Sequence, residues 1–101
     1  MLVTIVRAGG LAGFVRRTEL DSTALPPDAV AALRELVDRL PTDPAPAVVA
    51  APDELRYELT LDDDGVTTTL RPTEQTLSES ERLLIAFVDG RSERTDSVEP
   101  L

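Results

Sequence analysis

The chain has 101 residues with few aromatic side chains, a net charge of −9, and neither His nor Cys; all ten basic residues are Arg. It therefore lacks the commonest general base, the commonest transition-metal ligand and all disulfide or thiolate chemistry, which disfavours an enzyme. The charge disfavours nucleic acid and anionic membranes as partners, and with no visible secretory signal or membrane span we expect a soluble cytoplasmic protein.

Two strands are predicted near the N-terminus. Residues 2–7 are apolar and β-branched, which is typical of a strand buried on both faces, and residues 14–20 follow as a second strand. Because few residues separate them, we expect the two strands to pair as an antiparallel hairpin with a long connection.

The connection between these strands reads Arg7-Ala8-Gly9-Gly10-Leu11-Ala12-Gly13 and holds three of the five glycines. Glycine reaches positive φ and lets another backbone approach closely, at an entropic cost, so the cluster indicates a loop with a demand on its shape. No helix follows and the Gly-Lys-Ser/Thr ending is missing, so neither nucleotide-binding fingerprint fits. Two interpretations stay open: a plain hairpin loop, or a protruding loop whose backbone contacts a partner.

Three arginines flank this loop, namely Arg7, Arg16 and Arg17. Three cations beside one loop are notable in a chain of net charge −9. They are either solvated strand ends or a positive rim that pairs with an acidic partner surface.

A helix and a connector are predicted next. Pro26 and Pro27 suit a first helical turn, apolar residues then recur at helical spacing up to Leu40, and Pro41 ends the helix. Residues 41–52 contain four prolines and four alanines, which favours a stiff, extended connector. This connector either covers the sheet or serves as a second candidate for partner binding.

A second hairpin is predicted around Asp64-Gly65, the strongest short turn signal in the chain. Apolar and polar residues alternate over residues 55–61, and a two-residue turn keeps the apolar faces of both strands together. The expected pairs are Leu59 with Leu70, Leu61 with Thr68, and Glu58 with Arg71. The adjacent run of aspartates lacks the spacing of a calcium loop, and no spacing selects a catalytic pair of carboxylates.

A second helix is predicted from the possible capping box of Ser78 and Glu81, with Gly90 as its C′ residue. The element order is then ββαββα. This order predicts an α+β fold, with a four-stranded antiparallel sheet and two helices packed on one face. Residues 1–90 are expected to form a single domain, and residues 91–101 a disordered tail.

From residue 2 to about residue 88 the chain resembles the emfourin (protealysin-inhibitor) family. The motifs that carry the resemblance are the glycine segment 7–13, the paired arginines 16–17, the Leu-Pro-Pro-Asp segment 25–28, and the strand and Asp-Gly hairpin of residues 57–65. The glycine segment is the specific part. Emfourins are small cytoplasmic inhibitors of thermolysin-like (M4) zinc metalloproteases.

The resemblance implies an inhibitor that needs no metal or cofactor and occludes the active-site cleft of a protease encoded nearby. The implied protease-binding residues are Arg7, Ala8, Gly9, Gly10, Leu11, Ala12, Gly13, Arg16 and Arg17. Leu11 is the implied apolar tip of the loop. Thermolysin-like enzymes favour a bulky apolar side chain just after the scissile bond, so the resemblance implies a pocket for Leu11. The alternative hypothesis is a non-inhibitory acidic interaction module, homodimeric through an exposed sheet edge.

Overall fold

The structure, a computed structural model, describes residues 1–9, 14–41 and 54–100. In chain order its elements are β1 (Leu2–Ala8), β2 (Phe14–Asp21), a 3-10 turn (Ser22–Ala24), α1 (Pro27–Asp38), β3 (Arg56–Asp63), β4 (Val66–Leu70), α2 (Glu79–Asp89) and β5 (Thr95–Pro100). The strands form one antiparallel sheet in the order β4-β3-β1-β2-β5. The predicted α+β class is confirmed, but the described sheet has five strands rather than four.

The fifth strand corrects the prediction that residues 91–101 are a disordered tail, since β5 pairs along the outer edge of β2. The Thr18 hydroxyl donates a hydrogen bond of 2.7 Å to the Asp96 carboxylate. Arg16 and Arg94 form ion pairs with the same carboxylate at 3.3 and 2.9 Å. The residues of β5 are polar and show no apolar periodicity. They are ordered by the backbone hydrogen bonds to β2 and by side-chain partners that lie far away in the sequence.

The same contacts make the attachment of β5 sensitive to acid. The hydrogen bond from Thr18, supported by Arg16 and Arg94, lowers the pKa of Asp96 below the ordinary value of 3.8. A carboxyl group with a lowered pKa contributes stability above its unfolded-state pKa and loses it as the pH falls through its folded-state pKa. We therefore expect the attachment of β5 to weaken as the pH falls below the ordinary value of 3.8.

Amide chemical shifts of β5 in an NMR titration measure this effect. The control is Asp96→Asn, which keeps an acceptor for the Thr18 hydroxyl and does not titrate. At acidic pH, the amide chemical shifts of β5 should change more in the wild type than in the variant. Equal changes in both proteins would show that Asp96 does not govern the attachment.

The core lies on one face of the sheet. Its buried members from the sheet and the helices include Val3, Ile5, Leu20, Leu59, Leu61, Ala29, Leu33, Leu84 and Val88. Side chains alternate along strands, and the pairing register places the sheet members on the same face, so both helices pack there as predicted. On the other face of β1, Thr4 is buried but Leu2 and Val6 are half-buried, because neither α1 nor α2 covers that face. Burial on both faces of β1 is therefore only partly observed.

The second hairpin has the predicted turn. Asp64 and Gly65 both have positive φ, 51° and 80°, as a type I′ turn requires. The predicted register is observed in the pairs Leu59↔Leu70 and Leu61↔Thr68. In the third predicted pair, Arg71 lies just beyond the end of β4 and forms an exposed ion pair of 3.4 Å with Glu58 of β3. Turn chemistry and apolar alternation agree, which is why the register was predictable.

The helix ends follow local signals with one exception. In α2 the Ser78 hydroxyl accepts from the Glu81 N–H at 3.2 Å, and the Glu81 carboxylate accepts from the Ser78 N–H at 2.9 Å, so the predicted capping box is present. Gly90 ends α2 with φ −82°, so it does not use the left-handed conformation that favours glycine.

Among the described residues, no helix has the length and apolar character of a membrane span.

Candidate functional site

The start of the glycine loop lies at one end of the sheet, beside the residues that lead into β3. β1 ends at Ala8 and β3 begins at Arg56, and these two residues lie opposite each other. Gly9 follows β1 and Glu54 precedes β3, and the backbones of these two residues approach each other closely. The predicted residues Gly10, Leu11, Ala12 and Gly13 lie outside the described residues, as does most of the connector, from residue 42 onward.

Gly9 is the described loop residue that lies closest to the segment leading into β3. Its φ is +101°, a conformation that side chains rarely adopt. A Cβ atom at this position would lie 2.6 Å from the carbonyl oxygen of Glu54, which is a backbone atom. Both the φ angle and the close approach require glycine. The first loop glycine is thus held against the backbone that leads into β3.

Glu54 is held in turn by the chain beyond β4. Its side chain is buried, and its carboxylate accepts a hydrogen bond of 2.9 Å from the backbone N–H of Gln75. The neighbouring Leu55 carbonyl accepts from the Glu74 N–H at 3.0 Å. Sequence reasoning missed Glu54, because an acidic residue in a polar segment gives no sign that it is buried. These bonds give the loop a fixed base.

Arg7 points to the helix-bearing face and contacts α2. Its Nη2 lies 2.7 Å from the Oδ1 of Asp89, the last residue of α2, and the two side chains are 13% and 37% exposed. The Arg7 Nε is buried without a hydrogen-bond partner among the described residues. Arg7 therefore links the end of β1 to the end of α2 and presents little of its charge to solvent.

Arg16 and Arg17 lie on opposite faces of β2. Arg16 shares the face of Arg7, which is opposite it in the ladder, and forms its ion pair with Asp96. The Nε of Arg17 donates a hydrogen bond of 2.7 Å to Glu19 on the other face. The structure brings the three predicted arginines near the loop, but they do not form a single row of unpaired cations. Each has a carboxylate partner within the chain.

Within residues 1–9, 14–41 and 54–100, no cluster of three or more His, Cys, Asp or Glu residues is placed to hold a metal ion. At the distant hairpin, Asp62 accepts a hydrogen bond from Thr67, and Asp63 pairs with Arg34. What the described base provides is a glycine backbone in an uncommon conformation, packed against the backbone of Glu54, whose buried side chain is bonded to Gln75.

Comparison with known protein families gives a match to the emfourin family over residues 5–89. Comparison with curated proteins and with solved structures gives no match. The matched span contains the glycine loop, both helices and the strands β2 to β4, and it stops before β5. Because the match covers most of the chain, the chain belongs to the emfourin family, and this membership implies a protease-inhibitor role rather than that of an enzyme.

Proposed function

We propose that this protein inhibits thermolysin-like (M4) zinc metalloproteases by inserting the 7–13 loop into their active-site cleft. The family match supports the inhibitor role. The observation that carries the choice of this loop is Gly9, whose positive φ and close approach to the Glu54 backbone, which leaves no room for a Cβ, restrict the conformation at the start of the loop. A loop held at its base loses less conformational entropy when it binds than a free loop would.

The three arginines have different roles in this proposal. Arg16 and Arg17 form ion pairs with partly exposed carboxylates, and such pairs contribute only about 0–1 kcal/mol. They can therefore exchange these partners for acidic groups of a protease at little cost. The side chain of Arg7 is only 13% exposed and contacts Asp89, so it positions the loop rather than touching the protease.

Leu11 supplies the apolar contact at the tip of the loop in this proposal. Thermolysin-like enzymes favour a bulky apolar side chain just after the scissile bond, so the family role gives Leu11 a pocket to fill. A central apolar anchor typically supplies a large part of the binding energy of an interface. That energy is lost when the side chain is truncated or replaced by a charged one. The loop residues other than Arg7 and Leu11 are alanines and glycines, which allow the backbone to approach the cleft closely.

Inhibition is tested by incubating the protein with thermolysin-like proteases, including any encoded beside it, and measuring the residual cleavage of a peptide substrate. Leu11→Asp should raise the inhibition constant by more than about tenfold, because it would bury a charge in an apolar pocket. Leu83→Asp is the matched control, since Leu83 is exposed on α2. It should leave the inhibition constant close to the wild-type value.

Two results would contradict the proposal at different levels. If the wild-type protein inhibited none of several such enzymes at micromolar excess, the proposed target class would be wrong. If it inhibited them and Leu11→Asp inhibited equally well, the contact would lie elsewhere, with the 41–52 connector as the next candidate. The target and the inhibitor are also expected to share the cytoplasm, which fractionation of the source cells would check.

A further inference from the structure

The two edges of the sheet differ in how they are protected against pairing with another strand. The edge formed by β5 carries Asp96, Glu99 and Pro100, and charges and proline are common means of preventing such pairing. The edge formed by β4 has the sequence Val-Thr-Thr-Thr-Leu, without charge or proline. Within the part of the chain that the structure describes, β4 pairs with β3 on one side and with no strand on the other.

The backbone of β4 offers hydrogen bonds to a further strand. The two-residue turn makes Asp63 and Val66 the hydrogen-bonded pair that closes the hairpin. Backbone groups alternate in direction along a strand, so Thr68 and Leu70 also bond towards β3. The N–H and C=O groups of Thr67 and Thr69 therefore point away from the sheet.

We propose that β4 pairs antiparallel with β4 of a second copy of this chain, so that the two sheets become continuous. The pairing that fits is centred on Thr68, with Thr67 of each copy opposite Thr69 of the other. In this register the outward-pointing groups of both threonines form hydrogen-bonded pairs, and the arrangement repeats by two-fold symmetry. A two-fold contact of this kind closes on itself and forms a dimer rather than a fibre.

Apolar complementarity supports this occupant. Val66 is 65% exposed, although it belongs to a strand, and in this register it lies opposite Leu70 of the second copy. Leu70 borders a groove of about 390 Å³ between the end of α1 and β4, whose other apolar walls are Val37, Leu40, Pro41 and Leu61. The pairing would thus place an exposed valine against the apolar groove of its neighbour, twice per dimer.

The charges at the two ends of β4 are also complementary. Arg71 follows β4, is exposed, and has Glu58 as its partner at 3.4 Å. Asp64 occupies the turn that precedes β4. Pairing centred on Thr68 brings Arg71 of one copy opposite the turn of the other, beside Asp64. Opposite charges then meet at both ends of the contact, which favours this register over shifted ones.

Sedimentation equilibrium of the full chain tests the proposal over a range of about 1–300 µM, since dimer formation follows mass action. The wild type should show a concentration-dependent dimer. Val66→Asp should weaken dimerisation by at least about tenfold. Val98→Asp is the matched control, because Val98 is 61% exposed on β5 at the other edge, and it should dimerise like the wild type.

A second variant tests the backbone hydrogen bonds of the β4 edge separately from the side-chain contact of Val66. Thr67→Pro removes an outward N–H and leaves the backbone hydrogen bonds between β4 and β3 in place, at the loss of the side-chain bond from Thr67 to Asp62, so it should also prevent dimerisation. Thermal unfolding followed by circular dichroism checks that each variant is folded. A wild type that stays monomeric over the whole range, or loss of the dimer in Val98→Asp with retention in Val66→Asp, would overturn the proposal.

The dimer is independent of the proposed inhibition. The glycine loop joins β1 and β2, and β3 separates these strands from β4, so Val66→Asp should inhibit a sensitive protease as well as the wild type does. Failure of either proposal would leave the other standing.

Discussion

Gly9→Ala is expected to lower the free energy of unfolding by about 2–6 kcal/mol, the sum of backbone strain and overpacking. The strain arises because alanine must adopt the φ of +101° that the end of β1 requires. The overpacking arises because the new Cβ would lie 2.6 Å from the Glu54 carbonyl oxygen. That oxygen cannot move aside alone, since the side chain of Glu54 is bonded to the Gln75 N–H and the next carbonyl, of Leu55, is bonded to the Glu74 N–H.

Two other glycines provide graded controls for this measurement. Gly65 has φ +80° but open space where a Cβ would be, so Gly65→Ala should show strain alone, about 1–3 kcal/mol. Gly90 has φ −82°, and a Cβ there would lie 3.4 Å from the Ala86 carbonyl oxygen. Gly90→Ala should therefore be nearly neutral, or stabilising by up to about 1 kcal/mol. Urea denaturation at neutral pH gives all three values on one scale.

The difference between Gly9→Ala and Gly65→Ala isolates the contact with Glu54. If the two substitutions cost the same, the close approach has no energetic consequence and the loop has no fixed base. If Gly9→Ala costs more, the folded fraction of this variant should also inhibit the target protease more weakly, by about tenfold or more. Gly65→Ala should inhibit normally, because Gly65 lies in the hairpin turn between β3 and β4.

Local signals in the sequence predicted the elements that depend on neighbouring residues. The Asp64-Gly65 turn, the capping box of Ser78 and Glu81, and the proline at the start of α1 each act within a few residues. The alternation of β3 then fixed its register with β4, because a shift by one residue would turn Leu59 and Leu61 away from the core.

Contacts between distant residues were not predictable in this way. The Asp96 carboxylate accepts its bond from Thr18 across the sheet, so a polar tail became a strand. Arg7 finds its partner Asp89 at the far end of the chain, so a residue expected on a binding rim is largely buried. The chain offers many hydroxyl groups and arginines that could have bonded Asp96, and many carboxylates that could have paired with Arg7. Composition and spacing did not choose among them.

Asp89→Ala is expected to destabilise the protein more than Arg7→Met does, although both remove the same ion pair. Without Asp89, a guanidinium that is 13% exposed keeps its charge but loses its partner, and its Nε already lacks one among the described residues. Breaking a buried pair from one side costs about 3–5 kcal/mol, and the partial exposure of Asp89 reduces this to roughly 2–3 kcal/mol. Arg7→Met buries an apolar side chain and leaves a carboxylate that water can reach, so we expect about 1 kcal/mol or less.

The same two variants distinguish a positioning role of Arg7 from a contact with the protease. If Arg7 acts by holding the end of β1 against α2, both variants should weaken inhibition to a similar extent. If Arg7 touched the protease, Asp89→Ala would inhibit as well as the wild type or better, because it frees the cation, and only Arg7→Met would lose inhibition. Glu19→Ala is the matched control, since it breaks the exposed pair with Arg17. Glu19→Ala should lower the free energy of unfolding by less than about 1 kcal/mol and leave Arg17 free to bind. Weaker inhibition by Glu19→Ala would therefore argue against a role for Arg17 in binding the protease.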